Sequence, residues 1–488
     1  MKQNDAIIIG AGIAGLAASV RLRLKGYDVL VIEANGYPGG KLTVFEQNGY
    51  RFDAGPSLFT MPHYVDELFQ LAGFEPGNMF SYLRKDESCR YFWDDGTKLI
   101  AHADSHAFAT EAAAVLGVDD TIILNRLLQS KQKYELAGYT FMEKPLHKVS
   151  TWLNPGVFKA LMQINKLGVF KSMHQENQES LNHPKLTQLF DRYATYNGSD
   201  PYRAPAVLNM IPHLEHGIGT FLPKHGMHQI TESIYQLACR LGVSFSFNEK
   251  VMKIRTTGNR ITGVETSSRT LDSRVVVSNM DVTLTYRKLL TENKAPERIL
   301  RQERSSSALI FYWGIRRQFP ELGLHNIFFS NDYRQEFEDI FAGKVPSKDP
   351  TIYVNITSKD IPADAPEGSE NWFVMVNVPT HTGQDWEALI PAYKKAVLEK
   401  LGKVLNKQIE QLIETEKVLT PTGIEAATSS LGGSLYGTSS NSRYAAFLRH
   451  ANESSKIRGL YFCGGSVHPG GGIPLCLLSA KIVSDLIK

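Results

Sequence analysis

The chain has 488 residues, too many for one simple core and suited to two or three domains. Apolar residues make up 42% and charged residues 21%, an ordinary globular composition. The formal net charge is only +3, and the sequence has no basic run, which argues against bulk nucleic-acid binding while suiting an anionic membrane surface. The cysteines Cys89, Cys239, Cys463 and Cys476 form no Cys-x-x-Cys pair and no metal signature, so we expect reduced thiols in a cytosolic chain and no metal. The start carries no charged-then-apolar signal segment, and there is no window of about 18 apolar residues, so any membrane contact should be peripheral.

In chain order, Ala6–Ile9 is a short apolar run suited to a strand buried on both faces. Residues 10–15 form a glycine turn, residues 16–25 a helix ending at Gly26, and Val29–Ile32 a second strand closed by Glu33. Residues 76–215 read as helical and aromatic. Residues 244–255 and 261–266 read as strands about the turn Thr257-Gly258-Asn259, and Val275-Val276-Val277 as another buried strand. Residues 291–414 are mixed, with strands near 307–315, 351–356 and 372–378 and a helix over 386–405. Residues 460–463 form a strand that enters a glycine-rich turn and a final helix at 474–487. No repeat or low-complexity linker appears. The pattern predicts an α/β fold. A Rossmann-like nucleotide domain is assembled from 1–75, 216–290 and 415–488, and an inserted mixed α+β substrate domain comprises 76–215 and 291–414.

Gly10, Gly12 and Gly15 spell G-x-G-x-x-G between a strand and a helix. The first glycine permits the tight turn, the second lets backbone approach a pyrophosphate, and the third allows close helix–strand packing. Glu33, 18 positions after Gly15, stands where a carboxylate accepts hydrogen bonds from a ribose. Pro38-Gly39-Gly40-Lys41 brings more backbone amides and a positive charge toward the cofactor phosphates. Residues 48–56 return the chain. At the other end, residues 464–474 place glycines where backbone lies flat against a planar ring. The positive end of the following helix then faces a reduced flavin's pyrimidine side. Without a ligand, each of these would be a glycine-rich turn in an α/β core. His468 sits in the last turn, where a lone histidine is either an acid/base or a positional group. There is no Ser-His-Asp order, no H-E-x-x-H and no Walker A sequence. A second G-x-G-x-x-G is also missing, so reoxidation by oxygen or a quinone is expected rather than by pyridine nucleotide.

Five stretches carry a family resemblance. They are residues 10–42, GYRFDAGPSLFTMP at 49–62, residues 192–230, GGSLYGTSSNSRY at 432–444 and LYFCGGSVHPGGGIPLCLLSAK at 460–481. The chain resembles the bacterial phytoene-desaturase-type carotenoid desaturases, within the flavin amine oxidase superfamily. The resemblance implies FAD as the only redox cofactor and a membrane-delivered polyene as substrate. GAGIAGLA at 10–17 with PGGK at 38–41 resembles the desaturases that act late, at the C3–C4 bond of hydroxylated acyclic end groups. Early phytoene desaturases more often have Arg where Lys41 stands, and related isomerases and retinol saturases share the skeleton. Motif and resemblance together give the expected cofactor contacts. They are Gly10, Gly12, Ile13, Ala14, Gly15, Glu33, Ala34, Gly39, Gly40, Lys41, Gly55, Pro56, Ser57, Val251, Gly464, Gly465, Gly472, Ile473 and Pro474.

A carbon beside a conjugated chain loses hydride readily, because the developing cation spreads into the polyene. The expected reaction is hydride transfer to flavin with proton loss from the neighbouring carbon, the protein mainly positioning the bond and excluding water. Candidate polar groups are Arg192, Arg203, Glu215 and His468; as structural residues, the first three would be domain-interface ion pairs. The rivals are a flavin amine or porphyrinogen oxidase and a non-catalytic polyene-binding protein. Against an amine oxidase, no aromatic follows Tyr461 in the flavin turn. Finally, residues 144–173 combine an apolar helical face (Leu153, Val157, Leu161, Ile164) and Trp152 and Phe158 with Lys144, Lys148, Lys159, Lys166 and Lys171. Pro155 stands near the expected helix start. That is the make-up of an interfacial anchor on the inner face of the cell membrane.

Overall fold

The fold was analysed in a computed structural model, which describes residues 5–138, 142–153, 156–157, 162–442, 445 and 448–488. Five parallel strands form one sheet in the order Leu460–Phe462, Val275–Ser278, Ala6–Ile9, Val29–Ile32, Ser244–Ser246. Three separated stretches of chain therefore meet in one sheet. The two N-terminal strands are wholly buried, and their alternation serves both faces. Ala6, Ile8, Val29 and Val31 pack with the helices Ile13–Leu24, His228–Arg240 and Ile473–Leu486. Ile7, Ile9, Leu30 and Ile32 pack with Val251, Ile254, Ile261 and Val264 of a three-stranded antiparallel sheet. A run with no polar residue is what a strand covered on both sides requires.

A second, seven-stranded sheet has the order Ile413–Leu419, Ser307–Ile315, Glu370–Val378, Ile352–Asn355, His325–Phe328, Glu87–Phe92, Lys98–His102. All its pairs are antiparallel except His325–Phe328 against Glu87–Phe92. The helix Trp386–Leu405 packs into a core with Trp313 and Trp372. Helices between residues 105 and 191 pack with Tyr91, Trp93, Ile327 and Phe329. Two expectations need correcting here. The stretch 76–215 is not uniformly helical: Tyr82–Arg84, Glu87–Phe92 and Lys98–His102 are strands. The expected boundary at 415 also falls inside Ile413–Leu419, a strand of the seven-stranded sheet. Tyr82–Arg84 and Ile413–Leu419 pair with strands remote in sequence, Phe221–Pro223 and Ser307–Ile315, whereas Glu87–Phe92 and Lys98–His102 form a local hairpin across the turn at 94–96.

The anchor expected over 144–173 takes a different form. Its described residues include two one-turn helices, Val149–Trp152 and Ile164–Leu167, rather than a continuous amphipathic helix. Leu153 is 79% exposed in a turn whereas Val157 is buried, so they do not share one apolar face. Pro155, Phe158, Lys159, Leu161 and the Ile164 side chain lie outside the described residues. Lys148 pairs with Glu453 and Lys171 with Glu179, carboxylates supplied by other parts of the fold. Val149, Trp152, Leu153, Met162 and Phe170 are nevertheless exposed.

The return segment 48–56 links the two halves through one buried carboxylate. Asp53 accepts from the backbone N–H of Met227 (2.8 Å) and His228 (3.0 Å) at the start of helix His228–Arg240. It also pairs with Arg51 (2.9 Å), which reaches Asp364 at 3.3 Å. Asp53→Ala leaves these donors buried without a partner. We expect a loss of about 1–3 kcal/mol, read as a lower denaturation midpoint at unchanged cofactor concentration.

Candidate functional site

One cavity of about 1280 Å³ runs between the two sheets. Its first half is built by strand ends. The turn after Ala6–Ile9 contributes Gly10, Gly12, Ile13 and Ala14, and the turn after Val29–Ile32 contributes Glu33 and Ala34. The following loop adds Gly39, Gly40 and Lys41, and the return segment adds Gly55, Pro56 and Ser57. Val251 joins from the three-stranded sheet. Gly464, Gly465, Gly472, Ile473 and Pro474 come from the turn after Leu460–Phe462. Gly15 alone of the expected contacts does not line the cavity. A Cβ there would meet the Gly10 carbonyl oxygen at 2.2 Å, which is the packing role expected of it.

These residues fit a dinucleotide. Gly12 and Gly472 are the N-caps of Ile13–Leu24 and Ile473–Leu486, and neither helix has a side-chain cap. Two helix N-termini without side-chain caps therefore border the cavity, as anionic phosphate and an electron-rich flavin ring require. Gly472 has φ +108° with nothing within 4 Å of a built Cβ, so backbone faces open space there. The Glu33 carboxylate, buried at 7% exposure, accepts from Ala11 N (2.7 Å) and Asn35 N (2.8 Å), which fixes it at the cavity wall. The Lys41 ammonium donates to the Ser434 and Leu435 carbonyls at 2.9 and 2.8 Å. Burial lowers its pKa to about 8 against the opposing pull of Asp281.

The sequence reading missed Asn279. It follows strand Val275–Ser278 and lines the cavity, and its amide donates to the Gly10 carbonyl at 3.4 Å. The signal was its position: like Gly10, it directly follows a buried parallel strand. Tyr436 was missed too. It packs on Gly471, where a Cβ would come within 2.8 Å of the Tyr436 Cβ. The flavin turn thus gains the aromatic neighbour its own sequence lacks.

The second half of the cavity is apolar and aromatic: Leu208, Ile211, Leu214, Ile310, Tyr312, Ile327, Phe373 and Met375 line it, and it extends to Met142. Of the candidate polar groups only Arg192 lines it. Its guanidinium lies over the rings of Tyr91, Tyr193 and Tyr196 (5.3, 4.7 and 5.2 Å) and donates to Tyr91 OH at 2.7 Å. Glu215, 1% exposed, sits 3.5 Å from Arg192 and accepts from Tyr193 (3.2 Å) and Tyr196. Burial alone would neutralise it; Arg192, His216 and Tyr196 outweigh burial and hold its pKa below the ordinary value. Arg203 is placed elsewhere, exposed and paired with Glu303 at 3.1 Å. His468 is buried off the cavity and bonds the Lys144 carbonyl at 2.8 Å, and burial lowers its pKa to about 4. It therefore ties residue 144 to the flavin turn. No group of three or more His, Cys, Asp or Glu positioned to hold a metal occurs among the described residues, and the cysteines are free thiols.

The sequence matches the flavin-containing amine oxidoreductase family over residues 13–488. It is 54% identical to a 1-hydroxycarotenoid 3,4-desaturase of Flavobacterium sp. (strain P99-3), covering 99% of each chain. It is 32% identical to a 4,4'-diapolycopene oxygenase of Methylomonas sp., covering 100% of this chain and 99% of that one. A solved oxidoreductase from Methanosarcina mazei superposes with TM-score 0.63 at 14% identity, covering 99% and 100%. The chain belongs to the flavin-containing amine oxidoreductase family, and it is a FAD-dependent oxidoreductase with a mixed α/β fold.

Gly12→Val pushes a side chain where a Cβ already stands 2.5 Å from Asn279 Nδ2. The purified variant should carry no FAD, which absorbance near the flavin band reads directly. Glu33→Ala should weaken FAD by about 1.5–3 kcal/mol, the range for a hydrogen bond to a charged group. For Lys41 the folded pKa, about 8, lies below the ordinary 10.5, so the charged form is the one lost as pH rises. An anionic cofactor prefers that charged form. FAD affinity should therefore fall through about pH 8 in the wild type and stay flat there in Lys41→Met, as titrations across that range measure.

Proposed function

We propose that this protein is a carotenoid desaturase that introduces a C=C bond at the 3,4 position of an acyclic carotenoid end group hydroxylated at C1. The observation that carries this is the cavity: one space joins the glycine turns to a long aromatic and apolar chamber. Near-full-length similarity to a 1-hydroxycarotenoid 3,4-desaturase supports the same reading. Segments 1–75, 216–290 and 420–488 contribute the cofactor half, and 76–215 and 291–419 the substrate half, which takes in the whole of strand Ile413–Leu419.

FAD would be held by the two uncapped helix N-termini, by Glu33 and by the turns at Gly39-Gly40 and Gly464-Gly465. Once bound it would supply a two-electron oxidant for a dehydrogenation in which the substrate gives up a hydride from one carbon and a proton from its neighbour. The chain's own part is to place that bond. Tyr312, Phe373, Ile327 and Met375 exclude water and cradle the polyene, and the Arg192–Glu215 pair is locked by tyrosines rather than free to take a proton. Oxygen or a quinone reoxidises the flavin. The polyene is drawn from lipid at the inner face of the cell membrane. No helix among the described residues is long and apolar enough to cross a membrane. The exposed Val149, Trp152, Leu153, Met162 and Phe170 would be the side chains that dock on lipid.

Anaerobic mixing with a 1-hydroxylated acyclic carotenoid should bleach the flavin band, and oxygen or a quinone should restore it. An absolute requirement for NAD⁺ would remove the proposal. Trp152→Ser with Leu153→Ser should lower co-sedimentation with anionic liposomes at unchanged flavin content. Unchanged sedimentation means that the membrane is met elsewhere.

A further inference from the structure

The apolar half of the cavity has a small polar end with two hydrogen-bonding atoms that lack partners. His325 and Ser88 both line the cavity and are 4% and 1% exposed. They sit on the paired strands His325–Phe328 and Glu87–Phe92. Neither His325 Nε2 nor Ser88 Oγ has a hydrogen-bond partner. Buried polar atoms are nearly always paired, and an unpaired one carries its full desolvation penalty. Two such atoms from neighbouring strands, lining one cavity, point to a ligand group that satisfies both.

The proton on His325 can be placed. Its Nδ1 is 2.7 Å from Tyr353 OH and 3.3 Å from Asn355 Nδ2. An amide nitrogen only donates, and this one also donates to the Leu324 carbonyl at 3.0 Å, so Nδ1 is the acceptor. Burial lowers the ring's pKa to about 4, so the imidazole is neutral at physiological pH. The single proton therefore stands on Nε2, which is a donor without an acceptor. The Ser88 hydroxyl both donates and accepts. A ligand hydroxyl is complementary to this pair: its oxygen accepts from Nε2 and it exchanges a second bond with Ser88. A carboxylate would lose far more hydration on entering this apolar chamber.

The end is also close to the candidate flavin turns. Tyr353 OH lies 2.7 Å from Ser57 Oγ, and Ser57 directly follows Gly55-Pro56 at the cofactor half of the cavity. The oxygen of a hydroxyl on C1 is only three bonds from C3, so whatever holds it must sit beside the reacting bond. We infer that His325 and Ser88 form the subsite that binds the tertiary hydroxyl of the substrate's end group and so sets which carbon–carbon bond is presented for oxidation. His325 and Ser88 are thereby positioning and specificity residues, with Tyr353, Asn355 and Ser57 fixing the imidazole. This inference rests on the substrate class proposed above.

The test uses the FAD-loaded enzyme in detergent and two acyclic polyenes that differ only in the C1 hydroxyl. Binding is read from quenching of flavin fluorescence, and the ratio of the two dissociation constants is the measure. The wild type should favour the hydroxylated polyene, and Ser88→Ala and His325→Leu should each cut that preference by about tenfold or more, since a site built around a hydroxyl rejects the analogue without it. Flavin content reports folding. If His325→Leu loses flavin, Ser88→Ala decides alone. No preference in the wild type, or an unchanged preference in flavin-replete variants, overturns the subsite. The two proposals separate cleanly. Hydroxyl-dependent binding that the variants abolish, without anaerobic bleaching of flavin, keeps the subsite and removes the desaturase reading. Bleaching with an unmoved preference does the reverse.

Discussion

The site depends on how closely backbone can approach backbone at the ends of three parallel strands. Asn279 stands at their meeting point. A Cβ on Gly12 would come within 2.5 Å of its amide nitrogen, and one on Gly464 within 2.8 Å of its amide oxygen. The asparagine fills the space that the glycines leave, and it braces Gly10 through its carbonyl. Any larger residue at either turn would push the strand ends apart and close the groove that they frame. The glycines are thus required twice, by the cavity on one side and by Asn279 on the other.

From that groove the two halves of the cavity divide the work. The strand-end half offers helix N–H groups, one fixed carboxylate and one buried lysine, all suited to a charged, planar cofactor. The seven-stranded sheet offers aromatic and aliphatic side chains, suited to a long hydrocarbon. The hairpin strand Tyr50–Asp53 joins them, because Asp53 holds the start of a helix that packs on the parallel sheet while Arg51 reaches Asp364. The buried ion pair of Arg192 and Glu215 survives in an apolar setting because tyrosine hydroxyls satisfy much of it. A carboxylate engaged by Arg192 and two tyrosines is poorly placed to act as a base, which agrees with a reaction driven by the electronics of the polyene.

The region 144–173 shows the limit of reading helical periodicity. Spacings of four and three among Leu153, Val157, Leu161 and Ile164 imply one face. A turn at Leu153 breaks that face and sends Val157 inward. Likewise the lysines looked unopposed within their own stretch, whereas Glu453 and Glu179 meet two of them in space. Val149, Trp152 and Leu153 are nevertheless exposed.

The sequence by itself determined the cofactor half, because its chemistry is local. Glycine placement, the acid at Glu33 and the two-sided apolar strands Ala6–Ile9 and Val29–Ile32 are all consequences of backbone geometry within a few residues. The helix Trp386–Leu405 and the strand Ser307–Ile315 were equally legible, since each is long and strongly patterned. The tertiary structure alone decided how the substrate half assembles. Glu87–Phe92 pairs with the adjacent Lys98–His102, but it joins the larger sheet through His325–Phe328, more than two hundred residues away, and no local pattern reveals that partner. It decided Arg203 and His468 as well, removing both from the cavity, and it brought His325, Ser88, Tyr353 and Ser57 together from four separate stretches. Neighbouring residues disclose backbone demands, but a side-chain constellation exists only once sheet pairing has set distant positions side by side.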